Sequence, residues 1–328
     1  METQINFQAV LRWTDAECRT NLEQQRWPDG PICPKCGVDS PYPITRKSKT
    51  KNVVQCLYKC RDCKRQFTAT VGTIFEDSKI PLSKWFAAIY LMCASKKGIS
   101  AHQLHRQLEI TYKSAWFMCH RVREAMAGNG VFELLSGTIE ADETYLHPRR
   151  RRGSPTHHER IQDEIQMGLR PKPKQDWREG KPVVFGMVER GGTIRTMKVP
   201  DATGRTLRPI MLNAIDLKRS RLVTDGHSAY RRIKDYLPHD VIDHEIEYVR
   251  GDVHTQNIDS YWSNLKRGVY GVFHHVSEGH LPSYLSEFDF RFNRRKISDA
   301  ERFASLMSQT QGRLLWYCHT PQPENPFA

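Results

Sequence analysis

The chain has 328 residues, enough for two or three domains. Fifty Lys and Arg against thirty-seven Asp and Glu leave a net charge of +13 and a pI near 9.4, which points to a polyanionic partner and says nothing about fold. No stretch approaches the ~18 apolar residues that span a bilayer, the start M-E-T-Q-I-N-F-Q lacks a secretory pattern, and nine cysteines argue for reduced thiols rather than a disulfide framework, so a cytoplasmic protein is expected.

Near the amino terminus, Thr14 and Glu17 have capping-box spacing before C-R-T-N-L-E-Q-Q-R, and Trp27-Pro28-Asp29-Gly30 ends that helix. The pairs Cys33-Pro-Lys-Cys36 and Cys60-Arg-Asp-Cys63 stand twenty-three residues apart, with strand-like N-V-V-Q-C-L-Y-K between them and R-Q-F-T-A-T-V after them. Each C-x-x-C turn presents two thiolates to one ion, so the four predict a single structural Zn²⁺ in a zinc ribbon. Cys56 alternates with Val54 and Tyr58 and reads as core rather than ligand. Cys18, Cys93, Cys119 and Cys318 read as buried small hydrophobes.

From Pro81 to Ser95 an apolar face (Leu82, Trp85, Phe86, Ile89, Met92, Cys93) predicts a helix. Ser100 caps a short helix, and after Ile110–Thr111 a longer one runs to about Met126. That pair has helix-turn-helix anatomy, or is an ordinary helical hairpin. Tyr112, Lys113 and Ser114 form the first turn of the second helix, with His120, Arg121 and Arg123 further along. Lys113, Ser114 and Arg121 are candidate DNA contacts.

The third region starts near Val131. Thr138–Tyr145 alternates as a strand: Glu140 and Asp142 share one face, Ile139 and Ala141 the buried one, and Glu143 points away from Asp142. Residues 147–181 carry ten Lys or Arg and five Asp or Glu and read as a charged insertion, with Arg149, Arg150 and Arg151 as further DNA candidates. Strands at Val183–Glu189 and Thr193–Val199 flank Arg190-Gly191-Gly192. A helix from about Gly204 to Ile215, a strand Arg221–Thr224 ending at Asp225, a helix near Ser228–Tyr236, a strand at Ile246–Val249 and a helix carrying Asp259 complete the order β-β-β-α-β-α-β-α. Ile258, Trp262, Leu265 and Val269 form the core stripe of that last helix. Asp259 and Lys266 share a face, so Lys266 with Arg267 either holds a phosphate backbone or ends the helix in solvent; His254 either approaches the acids or caps the turn.

Acids on three separated segments resist ionising together unless a cation joins them. Two Mg²⁺ or Mn²⁺ ions held by Asp142, Asp225 and Asp259 would serve phosphodiester chemistry. Glu140 would give only support.

With I-E-A-D-E-T-Y, V-T-D-G-H-S-A-Y, P-V-V-F-G-M-V-E-R-G-G, L-K-R-G-V-Y-G-V-F-H-H-V-S and the two cysteine pairs in place, the chain resembles the DDE-type insertion-sequence transposases of the ISXO-like group across most of residues 27–296. The resemblance implies an α/β RNase H-like catalytic domain, a mixed sheet flanked by helices, preceded by a zinc ribbon and a helix-turn-helix. It implies domains at 1–76 (N-terminal helix and ribbon), 77–130 (helix-turn-helix) and 131–296 (catalytic, including the insertion), with a tail at 297–328. It also implies metal-dependent cleavage and transfer of double-stranded DNA at transposon ends by a homodimer or higher homo-oligomer on DNA, in a prokaryotic, nucleoid-associated setting. The first two family aspartates fall on Asp142 and Asp225. Where relatives read H-x-N-x-I-E, this chain has Gln256 and Asp259, which makes Asp259 the third ligand and Asn257 and His254 second choices. The rival functions are a catalytically silent DNA-binding regulator and a structure-selective nuclease on the same fold.

Overall fold

A computed structural model describes residues 5–47, 54–128, 133–146, 166–167, 181–243, 246–247 and 249–312. The chain forms two compact units, one of Met1–Val131 with Ser286–Pro326 and one built on Phe132–Leu285.

The first unit opens with α1 (Phe7–Arg12) and α2 (Asp15–Arg26). The capping box is formed: the Glu17 backbone N–H donates to the Thr14 hydroxyl, and Glu17 in return accepts from the Thr14 backbone N–H. A three-stranded antiparallel sheet follows, β1 (Tyr42–Lys47), β2 (Val54–Lys59) and the short β3 (Gln66–Phe67). Then come α3 (Leu82–Ala94), α4 (Ala101–Leu108) and α5 (Tyr112–Met126). Ser100 and Thr111 cap α4 and α5 with their hydroxyls, as their positions in sequence require. The expected face of α3 is buried, and α3 is apolar on nearly every side because it is the centre of this core. Cys18, Cys93 and Cys119 are buried as expected; Cys318 and the side chain of Cys56 lie outside the described residues.

The expected C-terminal tail is not separate. Phe303, Leu306 and Met307 of α9 (Asp299–Met307) belong to the core around α3, and the division between the units falls inside α8 (Leu281–Asn293). Glu287 on α8 is fully buried between Arg123 of α5, at 2.6 Å, and Arg291.

The second unit holds one mixed five-stranded sheet in the order β6-β5-β4-β7-β8. The strands are β4 (Leu135–Tyr145), β5 (Val183–Glu189), β6 (Ile194–Val199), β7 (Ile215–Asp225) and β8 (His239–Ile242). β4, β5 and β6 pair antiparallel, while β7 pairs parallel with both β4 and β8. With helices on the sheet, this is the expected RNase H-like α/β class. Ile139 and Ala141 of β4 pack with Phe185 and Met187 of β5 and with Leu207 and Met211 of α6 (Gly204–Ala214). α7 (Gln256–Gly271) packs against β4 and β5 and buries Ile258, Trp262, Leu265 and Val269. β5 is buried along almost its whole length, which is why its sequence is continuously apolar rather than alternating.

Two sequence expectations fail here. The fifth strand is His239–Ile242, not Ile246–Val249. At the sheet edge only Ile242 of β8 is buried, so its pattern is mostly polar, whereas Ile246, Glu247 and Val249 of the more strand-like I-E-Y-V lie off the sheet, with Ile246 82% exposed. Residues 228–236 form two single 3₁₀ turns, Ser228–Tyr230 and Ile233–Asp235, in place of a helix. Apart from residues 166, 167 and 181, the charged insertion lies outside the described residues, as do Arg149, Arg150 and Arg151. Among the described residues no helix is long and apolar enough to cross a membrane.

Candidate functional site

The four cysteines are gathered by two matching turns. In the first, the Cys33 N–H donates to the Val38 carbonyl and the Gly37 N–H to the Cys33 carbonyl, both at 2.9 Å, with Gly37 at φ +73°. In the second, the Cys60 N–H donates to the Arg65 carbonyl at 3.0 Å and Lys64 takes φ +58°, an uncommon conformation for a side-chain-bearing residue. All four sulfurs lie within 4.8 Å of one another, with Cys33 to Cys63 at 3.7 Å and Cys36 to Cys60 at 3.5 Å. Burial works against the Cys33 thiolate, but the backbone N–H groups of Cys36 and Lys35, and then the thiols of Cys36 and Cys63, together more than offset it and bring Cys33 down to about 7. The Val38 N–H favours the Cys36 thiolate, yet the sulfurs of Cys60, Cys33 and Cys63 push Cys36 up to about 12. Four thiolates need a cation among them, and this donor set fits Zn²⁺. Trp27, Tyr58 and Phe67 pack ring to ring, at 5.7–5.9 Å between centroids, beside the second cysteine pair.

The carboxylates are assembled across the second unit. In the parallel pairing of β4 with β7, Glu140 stands opposite Val223, so two residues on Asp142 meets Asp225 at the end of β7. Asp259 lies in the first turn of α7. One oxygen of each acid is held by a fixed donor. The Trp262 indole N–H donates to Asp142 at 2.9 Å, the His227 backbone N–H to Asp225 at 3.0 Å, and the Thr255 hydroxyl to Asp259 at 3.0 Å. Burial, followed by the charges of Glu143, Asp225 and Asp259, pushes Asp142 up to about 8. The three acids therefore share one electrostatic environment, although among the described residues only the four cysteines bring their ligand atoms within 4.8 Å of one another. Hard carboxylate oxygens gathered about a buried Asp142 form a donor set that fits Mg²⁺ or Mn²⁺.

Three neighbours of this centre were not singled out by sequence reasoning. Trp262 reads as core from its spacing and is buried, but its polar edge serves Asp142. Gly186 of β5 pairs with Asp142, and a Cβ there would meet the Trp262 ring at 2.7 Å. A glycine inside an apolar strand is the signal that could have found it. Glu143 does use the other strand face, where it accepts from the Tyr230 hydroxyl at 2.5 Å and stands 3.6 Å from the His227 ring. Burial and then the Glu143, Asp142 and Asp225 charges push the Tyr230 hydroxyl well above its ordinary range.

Glu140 is completely buried and accepts from the Asn257 backbone N–H and side-chain amide, the Ile258 N–H and the Arg190 guanidinium. Asn257 and His254, the second choices for third ligand, both face Glu140; His254 Nδ1 is 3.4 Å from it. Lys266 is half-buried, and Arg267 is exposed and donates to the Ser263 carbonyl at 3.0 Å.

On α5, Tyr112 and Lys113 are exposed and Ser114 is half-buried in the cap with Thr111. Arg121, expected among the DNA contacts, is instead 6% exposed. It donates to the carbonyls of Ile74 and Glu76 at 2.8 and 2.6 Å and lies over the Phe117 ring. His120 and Arg123 are buried too. A basic helix can spend its cations inward on carbonyls and carboxylates, and charge alone does not reveal which face does so.

The description of an ISXO2-like transposase domain matches residues 134–293, and that of a transposase zinc-ribbon domain matches residues 13–66. An uncharacterised protein of the transposable element ISH50 from Halobacterium salinarum is 30% identical over 275 residues, covering 82% of this chain and 88% of that protein. The Mos1 strand transfer complex and a pre-cleavage Mos1 transpososome are similar at 12% identity, over 69% of this chain and 78% and 79% of theirs. Their TM-scores of 0.27 and 0.26 are too low to support any residue-level comparison. The chain belongs to the ISXO2-like transposase family.

Proposed function

We propose that this transposase binds the ends of its insertion sequence and catalyses metal-dependent cleavage and transfer of DNA strands, with Asp142, Asp225 and Asp259 as the residues that hold Mg²⁺ or Mn²⁺. The observation that carries this reading is that acids from β4, β7 and α7 share one electrostatic centre, each oriented by a donor on the protein. Divalent metal, when bound, polarises the phosphodiester and stabilises the attacking and leaving oxygens. The protein's part is orientation: a carboxylate with one oxygen fixed presents the other in a set direction. Trp262 does this for Asp142, the His227 backbone for Asp225 and Thr255 for Asp259. Tyr230, which donates to Glu143 beside the acids, is held in its neutral form rather than activated as a nucleophile, and the reading involves no covalent protein–DNA link.

In this reading Cys33, Cys36, Cys60 and Cys63 hold one structural Zn²⁺, and the exposed first turn of α5, with Tyr112 and Lys113, meets DNA. Lys266 and Arg267 would lie along the DNA backbone, and the protein would act as at least a dimer on two element ends. The test is a labelled duplex carrying the element terminus, incubated with the purified protein, target DNA and Mg²⁺. Cuts that leave a 3′-OH at the terminus, followed by joined products, are expected. Tight end binding with no cut in either Mg²⁺ or Mn²⁺ would leave the silent regulator as the better reading.

A further inference from the structure

Glu140 sits inside the sheet at 0% exposure, where an unpaired carboxylate would be costly. Its charge is met by four donors. The Asn257 and Ile258 N–H groups donate at 2.8 and 3.1 Å, and the Asn257 side chain and Arg190 Nε each donate at 2.8 Å. The two backbone donors belong to the first turn of α7, whose N–H groups have no partner within the helix. A threonine stands at the N-cap of α7, where its hydroxyl would ordinarily accept from that turn. Thr255 makes no such bond, and its hydroxyl instead holds Asp259. The capping of α7 has thus passed to a strand residue more than a hundred positions upstream, which frees the local cap to orient a candidate metal ligand. Arg190 extends the same tie, donating to the carbonyls of Asp252 and His254 at 2.6 and 2.8 Å in the loop that leads into α7.

Glu140 and Asp142 lie two residues apart on the same face of β4, so whatever fixes α7 to Glu140 also fixes Asp259 with respect to Asp142. We propose that Glu140 is a positioning residue: it anchors the first turn of α7 to β4 and so sets the place of Asp259 relative to Asp142. This rests on the reading of those aspartates as metal-holding acids. Glu140 itself touches neither substrate nor reacting atoms. Its four donors occupy it.

The test uses the full-length, zinc-loaded protein with Glu140→Ala, Glu140→Gln and, as a control, Asp142→Ala. Amide hydrogen exchange is followed in residues 254–262 and in α3–α5, and Mn²⁺ binding is measured by calorimetry. In Glu140→Ala, exchange at the first turn of α7 should rise roughly tenfold or more, the scale expected on losing hydrogen bonds to a charged acceptor, while α3–α5 stay protected. Mn²⁺ affinity should fall roughly 10–100-fold, as for other groups that orient metal ligands. Glu140→Gln keeps an acceptor oxygen and should recover part of both losses. Asp142→Ala should lose Mn²⁺ binding with α7 still protected. If Glu140→Ala does not fold, Glu140→Gln and Arg190→Gln carry the same two measurements with smaller shifts. Unchanged exchange in α7, or raised exchange with wild-type Mn²⁺ affinity, overturns the proposal. If the wild-type protein binds Mn²⁺ no better than Asp142→Ala, the metal reading of the aspartates fails. The anchor is then decided by exchange alone, supported if α7 loosens and overturned if it does not.

Discussion

Cys33, Cys36, Cys60 and Cys63 come together through two short turns beside one small sheet, whereas Asp142, Asp225 and Asp259 come from two strands and a helix that share a larger one. In the cysteine site, local backbone geometry aims each pair of sulfurs, and tertiary structure has only to bring two turns together. In the acid site every carboxylate depends on sheet register and on how α7 lies against β4, and each has its own donor to orient it. Among the described residues the sulfurs lie within 4.8 Å of one another and the three carboxylates do not, as expected if the proposed zinc site is preformed and the proposed Mg²⁺ site is not. The first site should therefore fail as a unit, and the second should lose chemistry before it loses structure.

The largest effect should come from Cys60→Ser. Zinc supplies folding free energy to such modules on the order of 10 kcal/mol, so losing one buried thiolate should release the ion and unfold the ribbon. Metal analysis with a thermal melt checks this, and one zinc per chain in the variant would contradict it.

Glu287 offers a buried carboxylate with no chemical task. Burial works against its charge, but Arg291 and Arg123 more than offset that and hold it below its ordinary 4.5. Its contribution is thus fully present above about pH 4.5 and is lost as pH falls through the lower folded value. Glu287→Ala, which strands two arginines, should cost about 3–5 kcal/mol in urea unfolding at neutral pH. It should also remove part of the acid-induced destabilisation expected of the wild type. A loss below ~1 kcal/mol would mean that the pair is solvated rather than buried.

Gly186→Ala should be milder. Its Cβ would meet the Trp262 ring at 2.7 Å and press on the residue that holds Asp142, so a cost of about 1–3 kcal/mol is expected. A fall in cleavage larger than the stability loss explains would show that Trp262 orients Asp142. Wild-type cleavage would show that it only packs.

The same contrast explains how much could be read from sequence. The cysteine pairs, the Thr14 capping box, the apolar face of α3 and the order of β4 to β7 were legible because each depends on residues close in the chain. Asp142 could be placed on a strand, and Asp225 at the end of one, by periodicity. The full burial of Glu140, its capture of the α7 amides and the inward turn of Arg121 could not be read, because partners 45 to 118 positions away decide them. β8 was missed because an edge strand buries one residue of four and carries little apolar signal. The return of α9 to the core around α3 was missed because a short amphipathic helix does not reveal which core it joins.

The most direct test of the central claim measures cleavage and end binding together on one labelled terminus for Asp142→Ala, Asp225→Ala, Asp259→Ala and Asp259→Glu. The three alanine variants should bind the end as the wild type does, melt close to it, and release no 3′-OH in Mg²⁺, while Asp259→Glu should still cleave because it restores a longer carboxylate at the same place. Wild-type cleavage by Asp142→Ala or Asp225→Ala would contradict the account; wild-type cleavage by Asp259→Ala alone would move the third ligand to Asn257 or His254.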